Sequence, residues 1–528
     1  MQAKFQWICI FGLIVVSPLF LWLSWPPNLW TGLIFFAFVP HFMAHKYLVQ
    51  SGRLKGRLFL ILVFASMFLW NASTTYWLYN TNIGTGIAIQ VVNTILFIIP
   101  WVLYHHAAKR SNKSLKYILF VSSWISVEYI QYHWLLSYPF LNLGNALSTQ
   151  PHWIQFMEYT GVLGGSLWIL LTNLSLYHLF DHLLEKGITV RLTPYFIESA
   201  AMISVPLVIS MVIFRSYEEK GEEVGVLIVH PNVNCRTEKY TLPQSELIDK
   251  YLDLTLKNIK SDTDFILWPE TAIPDLGWFS DLSTNTDLKK VYHSLSQFKD
   301  ANLITGGILY EQSTDKDDLN VLYHEHSKVW YRTYNAAIGL SFAKNKLQIR
   351  TKEKLVPVEE TMTNSISCSL RKVFSSLGGF RFSHRTHDPD YFDHAKGLFS
   401  LPLICYESLY GQFTSEKMGD KRGIIFILLN EGWYKNLTGA AQFMYYSAIR
   451  AIESRRSIAR SSNDGISCAI NQRGQIENKI ANFSPRAIKV KLKANDAETF
   501  YSITGNYIGY LSLGLSLIVT LIIIVKPT

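Results

Sequence analysis

Three stretches end apolar runs on side chains able to do chemistry: Glu270 in DFILWPETAIP, Lys352 in RTKEKLVPVEE and Cys405 in LPLICYESLYG. Singly, each has a plain structural reading. Glu270 can cap a helix after Pro269, Lys352 can be a solvated charge, and Cys405 can be a core thiol or half of a disulfide. Together they hold what acyl transfer through a thiol requires. A thiol is mostly protonated at neutral pH, so it needs a carboxylate to take its proton and a cation to hold the thiolate. The oxyanion formed when sulfur attacks a carbonyl needs fixed donors, for which Lys352 and the backbone N–H of Tyr406 are available. The expectation is a sulfur anion kept ionised beside one acid and one ammonium. Glu407 is either a supporting carboxylate or one end of a salt bridge to Arg455, Arg456 or Arg460.

The elements that position these groups begin with membrane helices. The chain has 528 residues, 49% hydrophobic and 17% charged, and the apolar residues are unevenly spread. Spanning a hydrocarbon core takes roughly 20 helical residues. Seven stretches approach that length before residue 215, near 5–25, 30–48, 58–78, 83–104, 115–132, 159–184 and 196–214, and NYIGYLSLGLSLIVTLIIIV closes the chain as an eighth. The first is long for a signal peptide and lacks a small-residue cleavage site before Trp25-Pro26-Pro27, so it reads as a membrane helix. Lysine and arginine concentrate in alternate loops: Arg53, Lys55 and Arg57; Lys109, Arg110 and Lys113; Lys186 and Arg191. The positive-inside bias then predicts cytoplasmic termini and an outward-facing segment between the seventh and eighth helices. The net charge of +9 is accounted for largely by those loops and requires no nucleic-acid partner.

Three units are expected: a seven-helix membrane region over 1–215, a catalytic domain over 216–503, and the eighth helix over 504–528. In the middle unit, strand-like runs such as VGVLIVHPNV, DFILWPETAI, LFSLPLICYES and GIIFILLNEGW alternate with helical patterns at QSELIDKYLDLTLKNIK and AAQFMYYSAIRAIESRRSIA. Strands apolar on both faces, interleaved with helices, indicate an α/β layered fold. Histidine and cysteine show no ligand spacing, so neither a metal nor another cofactor is expected. Cys235, Cys368, Cys405 and Cys468 lie in this unit with no spacing that dictates a pair, and the chemistry requires Cys405 to be free.

WPET, KEKLVPVEE, ICYES, NEGW and RSIARSSNDGISCAINQRG, in this order, resemble the nitrilase-like domain of the apolipoprotein N-acyltransferase family, and YPFLNLGNALS resembles a loop of its membrane part. The resemblance implies an integral membrane eight-helix bundle bearing an extracytoplasmic α-β-β-α sandwich. It implies transfer of an acyl chain from a phospholipid, through a thioester, to the α-amino group of a lipoprotein's N-terminal diacylglyceryl-cysteine. Glu270 is then the general base, Lys352 the oxyanion stabiliser and Cys405 the acylated nucleophile. Glu360 supports the lysine, and Tyr406 and Glu407 shape the nucleophile turn. Expected partners are the phospholipid donor, the diacylated lipoprotein and the bilayer, with the protein a monomer in the bacterial inner membrane and its catalytic domain periplasmic.

Tyr240, where relatives carry tryptophan, and Asn335 and Trp433 are candidate substrate-binding positions. Trp278 and Phe279, or an amphipathic helix within SISCSLRKVFSSLGGF, are candidate lids that keep water from the thioester. Two departures from the family pattern stand out: Val358-Glu359-Glu360 replaces its Phe-Gly-Glu, and Gln442-Phe443 replaces its Gln-His. Glu359 is expected either to raise the pKa of Glu360 or to face water. The rival readings are a membrane-tethered amidase or nitrilase-type hydrolase and a non-catalytic lipid-binding scaffold.

Overall fold

The computed structural model describes residues 2–110, 113–188, 190–316, 318, 320–325, 327–361, 381–385, 388–481 and 484–525. The proposed amphipathic helix over 365–380 and Cys368 therefore lie outside the described residues. Seven helical segments among them are long and apolar enough to cross a membrane: Gln6–Ser24, Thr31–Gln50, Gly56–Thr74, Ile83–Arg110, Met157–Lys186, Val190–Ser216 and Tyr507–Val525. The helix Lys113–Ile130, at the position of the expected fifth span, falls outside that set. It carries Lys116 and Glu128 and packs against the helices Ile83–Arg110 and Tyr507–Val525. Ser516 meets Ser122 at 2.9 Å and Ser126 at 3.2 Å, replacing the apolar contact that lipid alone would supply.

Among the described residues thirteen strands lie between the helices Val190–Ser216 and Tyr507–Val525: β1 (Glu222–His230), β2 (Phe265–Leu267), β3 (Asn302–Gln312), β4 (Val321–His324), β5 (Val329–Ser341), β6 (Lys346–Thr351), β7 (Phe392–Asp393), β8 (Phe399–Ile404), β9 (Gly423–Leu429), β10 (Ile458–Ser462), β11 (Ser467–Ile470), β12 (Ile476–Ile480) and β13 (Arg486–Ala494). They form two sheets, β13-β1-β2-β3-β5-β4 with β6 on β5, and β12-β11-β10-β9-β8-β7. The parallel cores are β1-β2-β3 and β8-β9-β10.

Strand alternation explains the layering, because successive side chains point to opposite faces. Val226, Ile228, Phe265 and Leu267 join Phe426 and its same-face neighbours Ile424 and Leu428 in the core between the sheets. Phe265 and Phe426 meet there with ring centroids 5.1 Å apart. Leu227, Val229, Ile266 and Trp268 face the other way, onto the helices Gln244–Asn258 and Thr286–Leu295. The helix Leu437–Ser454 covers the second sheet. The product is the expected α-β-β-α sandwich.

The helical pattern read from Ala440 to Ala459 stops early. Arg455 takes a left-handed φ of 49° and the chain turns into β10. The helix Leu437–Ser454 is also the seam with the membrane bundle. Trp25 Nε1 donates to Tyr446 Oη (2.8 Å), and Trp77 Nε1 to Gln442 Oε1 (2.9 Å). Gln442 Nε2 reaches the carbonyls of Pro26 (3.0 Å) and Thr74 (2.9 Å), while Glu453 Oε1 accepts from the Val162 N–H (2.9 Å). Each pairing removes a polar group that would otherwise be buried unsatisfied, so the two parts are held in fixed relation.

Candidate active site

Glu270 leaves the C-terminal end of β2, and the following Thr271 takes a left-handed φ of 45°. The turn lies directly on β3. A Cβ at Gly306 would stand 2.4 Å from the Thr271 nitrogen, so only glycine fits there. Asn335 on β5 donates Nδ2 to Glu270 Oε1 at 2.7 Å. Lys352 continues β6 by one residue, its N–H bonding the Asn335 carbonyl at 2.8 Å, which brings its ammonium under the same carboxylate. Lys352 Nζ lies 3.4 Å from Glu270 Oε1 and 2.7 Å from Glu360 Oε1. Glu360 Oε2 accepts from the Val356 N–H at 2.9 Å, fixing the far side of the clamp.

Cys405 comes from the other sheet. It follows β8 and opens a tight helical turn, Cys405–Leu409, with a left-handed φ of 48°. A non-glycine residue held there costs about 1–3 kcal/mol and needs surroundings that over-determine it. They are present. Glu407, fully buried, accepts from the Ile404 N–H (2.8 Å) and the Glu353 N–H (2.8 Å). Arg350 grips it with two nitrogens at 2.8 and 3.0 Å. Ser408 Oγ donates to the Cys405 carbonyl (2.8 Å), and Tyr406 Oη to the Ser137 carbonyl (2.7 Å).

Glu407 supports the nucleophile turn, one of the two readings open for it, and its salt bridge runs to none of the three arginines expected. Its cation is Arg350, whereas Arg460 pairs with Glu431, Arg455 with Glu158, and Arg456 with the carbonyls of Ala497 and Gly419. The pairing of β5 with β6 brings Arg350 over the second sheet, where its Nη1 also bonds the Pro402 carbonyl at 2.9 Å.

The electrostatics correct the expectation of a resting sulfur anion. Burial pushes the Cys405 thiol well above its ordinary value, Glu270 adds to this, and the opposing pull of Lys352 is outweighed. Burial alone would depress the Lys352 ammonium, but Glu360 and then Glu270 override it and hold the lysine firmly charged. Burial raises the Glu360 carboxyl against the pull of Lys352, and Glu270 raises it further. Burial thus favours the thiol over the thiolate at rest. Ionisation belongs to the moment of attack.

Glu270, Cys405, Tyr406 and Glu360 share one cavity of about 530 Å³ with Tyr240, Asn335 and Trp433. Lys352 stands behind this wall, fully buried. The opposite wall comes from the membrane bundle, through Trp77, Ala88, Ile89, Val92 and Phe140. Phe443 lies on the wall as well, with Phe140 at 4.8 Å and Tyr434 at 5.9 Å, so this position is apolar filling. Tyr240 and Trp433 stack at 6.5 Å.

Residues 17–175 match the family model described as the apolipoprotein N-acyltransferase N-terminal domain. The chain is 23% identical to the apolipoprotein N-acyltransferase of Chlorobaculum tepidum, over 98% of this chain and 97% of that protein. It is 26% identical to that of Rickettsia prowazekii over 84% of this chain and 85% of that protein. The chain is a relative of the apolipoprotein N-acyltransferases. Among solved structures, an amidase from Nesterenkonia sp. AN1 is similar with a TM-score of 0.32 at 11% identity, covering 51% of this chain and 92% of that one. A glutamine-dependent NAD+ synthetase from Acinetobacter baumannii has a TM-score of 0.33 at 14% identity, covering 55% of this chain and 51% of that one.

Two candidate positions lie apart from the cavity. Trp278 packs on Tyr310 (5.9 Å) and Tyr331 (5.8 Å), and Phe279 on Tyr334 (5.5 Å) with the Arg385 guanidinium 4.4 Å from its ring centre. The bridges Ile273–Gly307 and Trp278–Tyr310 show why: beyond Thr271 the chain runs alongside β3 and is carried off the site. They are corrected from lid to sheet-edge packing.

Sequence reasoning missed Lys239, fully buried, whose Nζ donates to the Glu270 backbone carbonyl at 2.8 Å. Burial lowers this ammonium to about 8, with Glu270 and Asp464 working against the fall. Its position one residue before Tyr240 in TEKY was the available signal.

Removing Glu407 tests the nucleophile turn. Burial alone would lift its carboxyl, but Arg350 and the N–H groups of Ile404 and Glu353 outweigh that and hold it below the usual range. The pair's stabilisation is therefore fully present above the unfolded glutamate value, about 4.3, and is lost as pH falls through the lower folded value. Glu407→Gln leaves buried Arg350 with only the partly exposed Glu353, 3.2 Å away, and the expected destabilisation is about 3 kcal/mol. Denaturant unfolding at neutral pH measures it, and the gap from wild type should close on acidification.

Proposed function

We propose that this chain is an inner-membrane acyltransferase that moves an acyl chain from a phospholipid, through a thioester on Cys405, to the α-amino group of an N-terminal diacylglyceryl-cysteine on a bacterial lipoprotein. One observation carries the reading: the cavity holding Glu270 and Cys405 has its other wall on the membrane helix Ile83–Arg110. A soluble small-molecule hydrolase has no need of such a wall. The names of the full-length relatives point the same way.

In the first stage Glu270 takes the Cys405 proton as sulfur attacks the ester carbonyl. Charge developing on the carbonyl oxygen is met by the field of Lys352 and by the Tyr406 N–H, one of the opening groups of a helical turn that have no acceptor within it. Collapse expels the lysophospholipid oxygen, which recovers the proton from Glu270, and leaves the thioester. In the second stage Glu270 takes a proton from the attacking amine, the amide forms, and the departing sulfur is reprotonated. Trp77, Phe140 and Phe443 supply the apolar enclosure that keeps water from the thioester.

The alternation of basic loops supports cytoplasmic termini and a periplasmic catalytic domain. The seam through Gln442, Tyr446 and Glu453 supports a single working unit of sandwich and bundle, with one copy sufficient for the chemistry. Incubation of purified protein with phospholipid and a diacylated lipopeptide is expected to yield the triacylated peptide and lysophospholipid in equal amounts. Release of ammonia from simple amides without peptide acylation would favour the amidase reading, and neither product would favour a non-catalytic scaffold.

A further inference from the structure

One carboxylate in the cavity wall has no counter-charge among the described residues. Val358 takes a φ of 71°, a left-handed conformation that a β-branched residue rarely adopts. Beyond this turn two adjacent glutamates diverge. Glu360 returns to Lys352 at 2.7 Å, while Glu359 lines the cavity with Asn82 and Thr85 at the start of the membrane helix Ile83–Arg110. Glu359 is half-buried, with one carboxylate oxygen turned away from water, and it and Glu360 each disfavour the other's charge. Its Oε1 is sealed from solvent and has no hydrogen-bond partner among the described residues; of the cations nearby in sequence, Lys354 lies over the rings of Tyr410 and Phe413 and Lys352 is already held by Glu360 and Glu270. Burial raises its carboxyl, with Thr85 opposing and Glu360 reinforcing the rise.

An isolated carboxylate withdrawn from water is costly unless a cation or donor completes it. Among the described residues the cavity wall supplies no such cation, so an entering molecule can bring one. We propose that Glu359 binds a primary ammonium of the substrate in the reaction's own cavity. The inference rests on the acyl-transfer reading and deepens it. That reaction offers two sources of the ammonium: the ethanolamine head of a donor phospholipid and the α-ammonium of the acceptor's N-terminal cysteine. A glycerol headgroup has neither the charge nor the donors to take its place.

The two half-reactions distinguish the sources. Acyl-enzyme formation is followed by intact mass with phosphatidylethanolamine or phosphatidylglycerol in mixed micelles. Transfer is followed by adding a diacylated lipopeptide to enzyme already acylated. If Glu359 serves the donor, the ethanolamine-to-glycerol ratio of acylation rates falls about tenfold in Glu359→Gln, the scale of one charge-assisted hydrogen bond. In Glu359→Lys the ratio inverts, which loss of structure alone would not produce. If Glu359 serves the acceptor, that ratio holds and the KM for the lipopeptide rises about tenfold in Glu359→Gln. Ratio and KM both within about twofold of wild type, in variants that still acquire the acyl group, would overturn the proposal alone. A wild-type protein that takes an acyl group from neither lipid would overturn the acyl-transfer reading itself.

Discussion

Glu270→Gln is expected to slow both half-reactions by about 10²–10⁴, the range over which a positioned general base contributes. Glutamine keeps the shape and can accept from Asn335 Nδ2, which meets Glu270 Oε1 at 2.7 Å, so the turn between β2 and β3 should survive. What is lost is the proton acceptor. Burial, the largest influence raising the Cys405 thiol, remains in the variant although the contribution of Glu270 is gone, so the variant still needs a proton acceptor for attack. Quenched-flow measurement of acyl-enzyme formation and of transfer to lipopeptide should show both rates depressed together. A variant within about tenfold of wild type in either step would refute a shared base.

Lys352→Met is expected to fail in two separable ways. Its ammonium bridges Glu270 at 3.4 Å and Glu360 at 2.7 Å with no solvent contact. Without it two carboxyls share a buried site, and the loss of folding free energy should be about 3–5 kcal/mol. Loss of charge opposite the developing oxyanion should cost a further factor of about 10²–10³ in rate. The double variant Lys352→Met with Glu360→Gln removes one of the uncompensated acids, so it should regain much of the stability and none of the rate. Denaturant unfolding and single-turnover acylation on the same samples separate the two. Recovery of rate along with stability would reduce Lys352 to a structural counter-ion.

Much of this site was legible because strand ends are local features. An apolar run that stops at WPET or at ICYES shows in one dimension where a sheet delivers a side chain, and Glu270 and Cys405 could be singled out on that basis. Partners chosen across the fold were not legible. Arg350 reaches Glu407 only through the pairing of β6 with β5 and the stacking of two sheets, so arginines nearer the NEGW motif looked equally eligible. Beyond its place before Tyr240, nothing in the sequence singles out Lys239, because its contact with the Glu270 carbonyl is made across the fold. Trp278 and Phe279 were misread for the converse reason: closeness to Glu270 in sequence says nothing of the bridge from Trp278 to Tyr310 that turns them away. The membrane helices were legible from length and apolarity; Lys113–Ile130, expected as a fifth span, is a helix there but falls outside the set apolar enough to cross a membrane, its polar side chains packing against neighbouring helices.

The account depends most on sulfur chemistry at Cys405, and intact-mass measurement after incubation with phospholipid tests it most directly. Wild-type protein should gain the mass of one fatty acyl group, lose it to neutral hydroxylamine, and pass it to an added diacylated lipopeptide; Cys405→Ala should gain nothing. An adduct that persists in Cys405→Ala, or lipopeptide acylation by that variant at the wild-type rate, would contradict it.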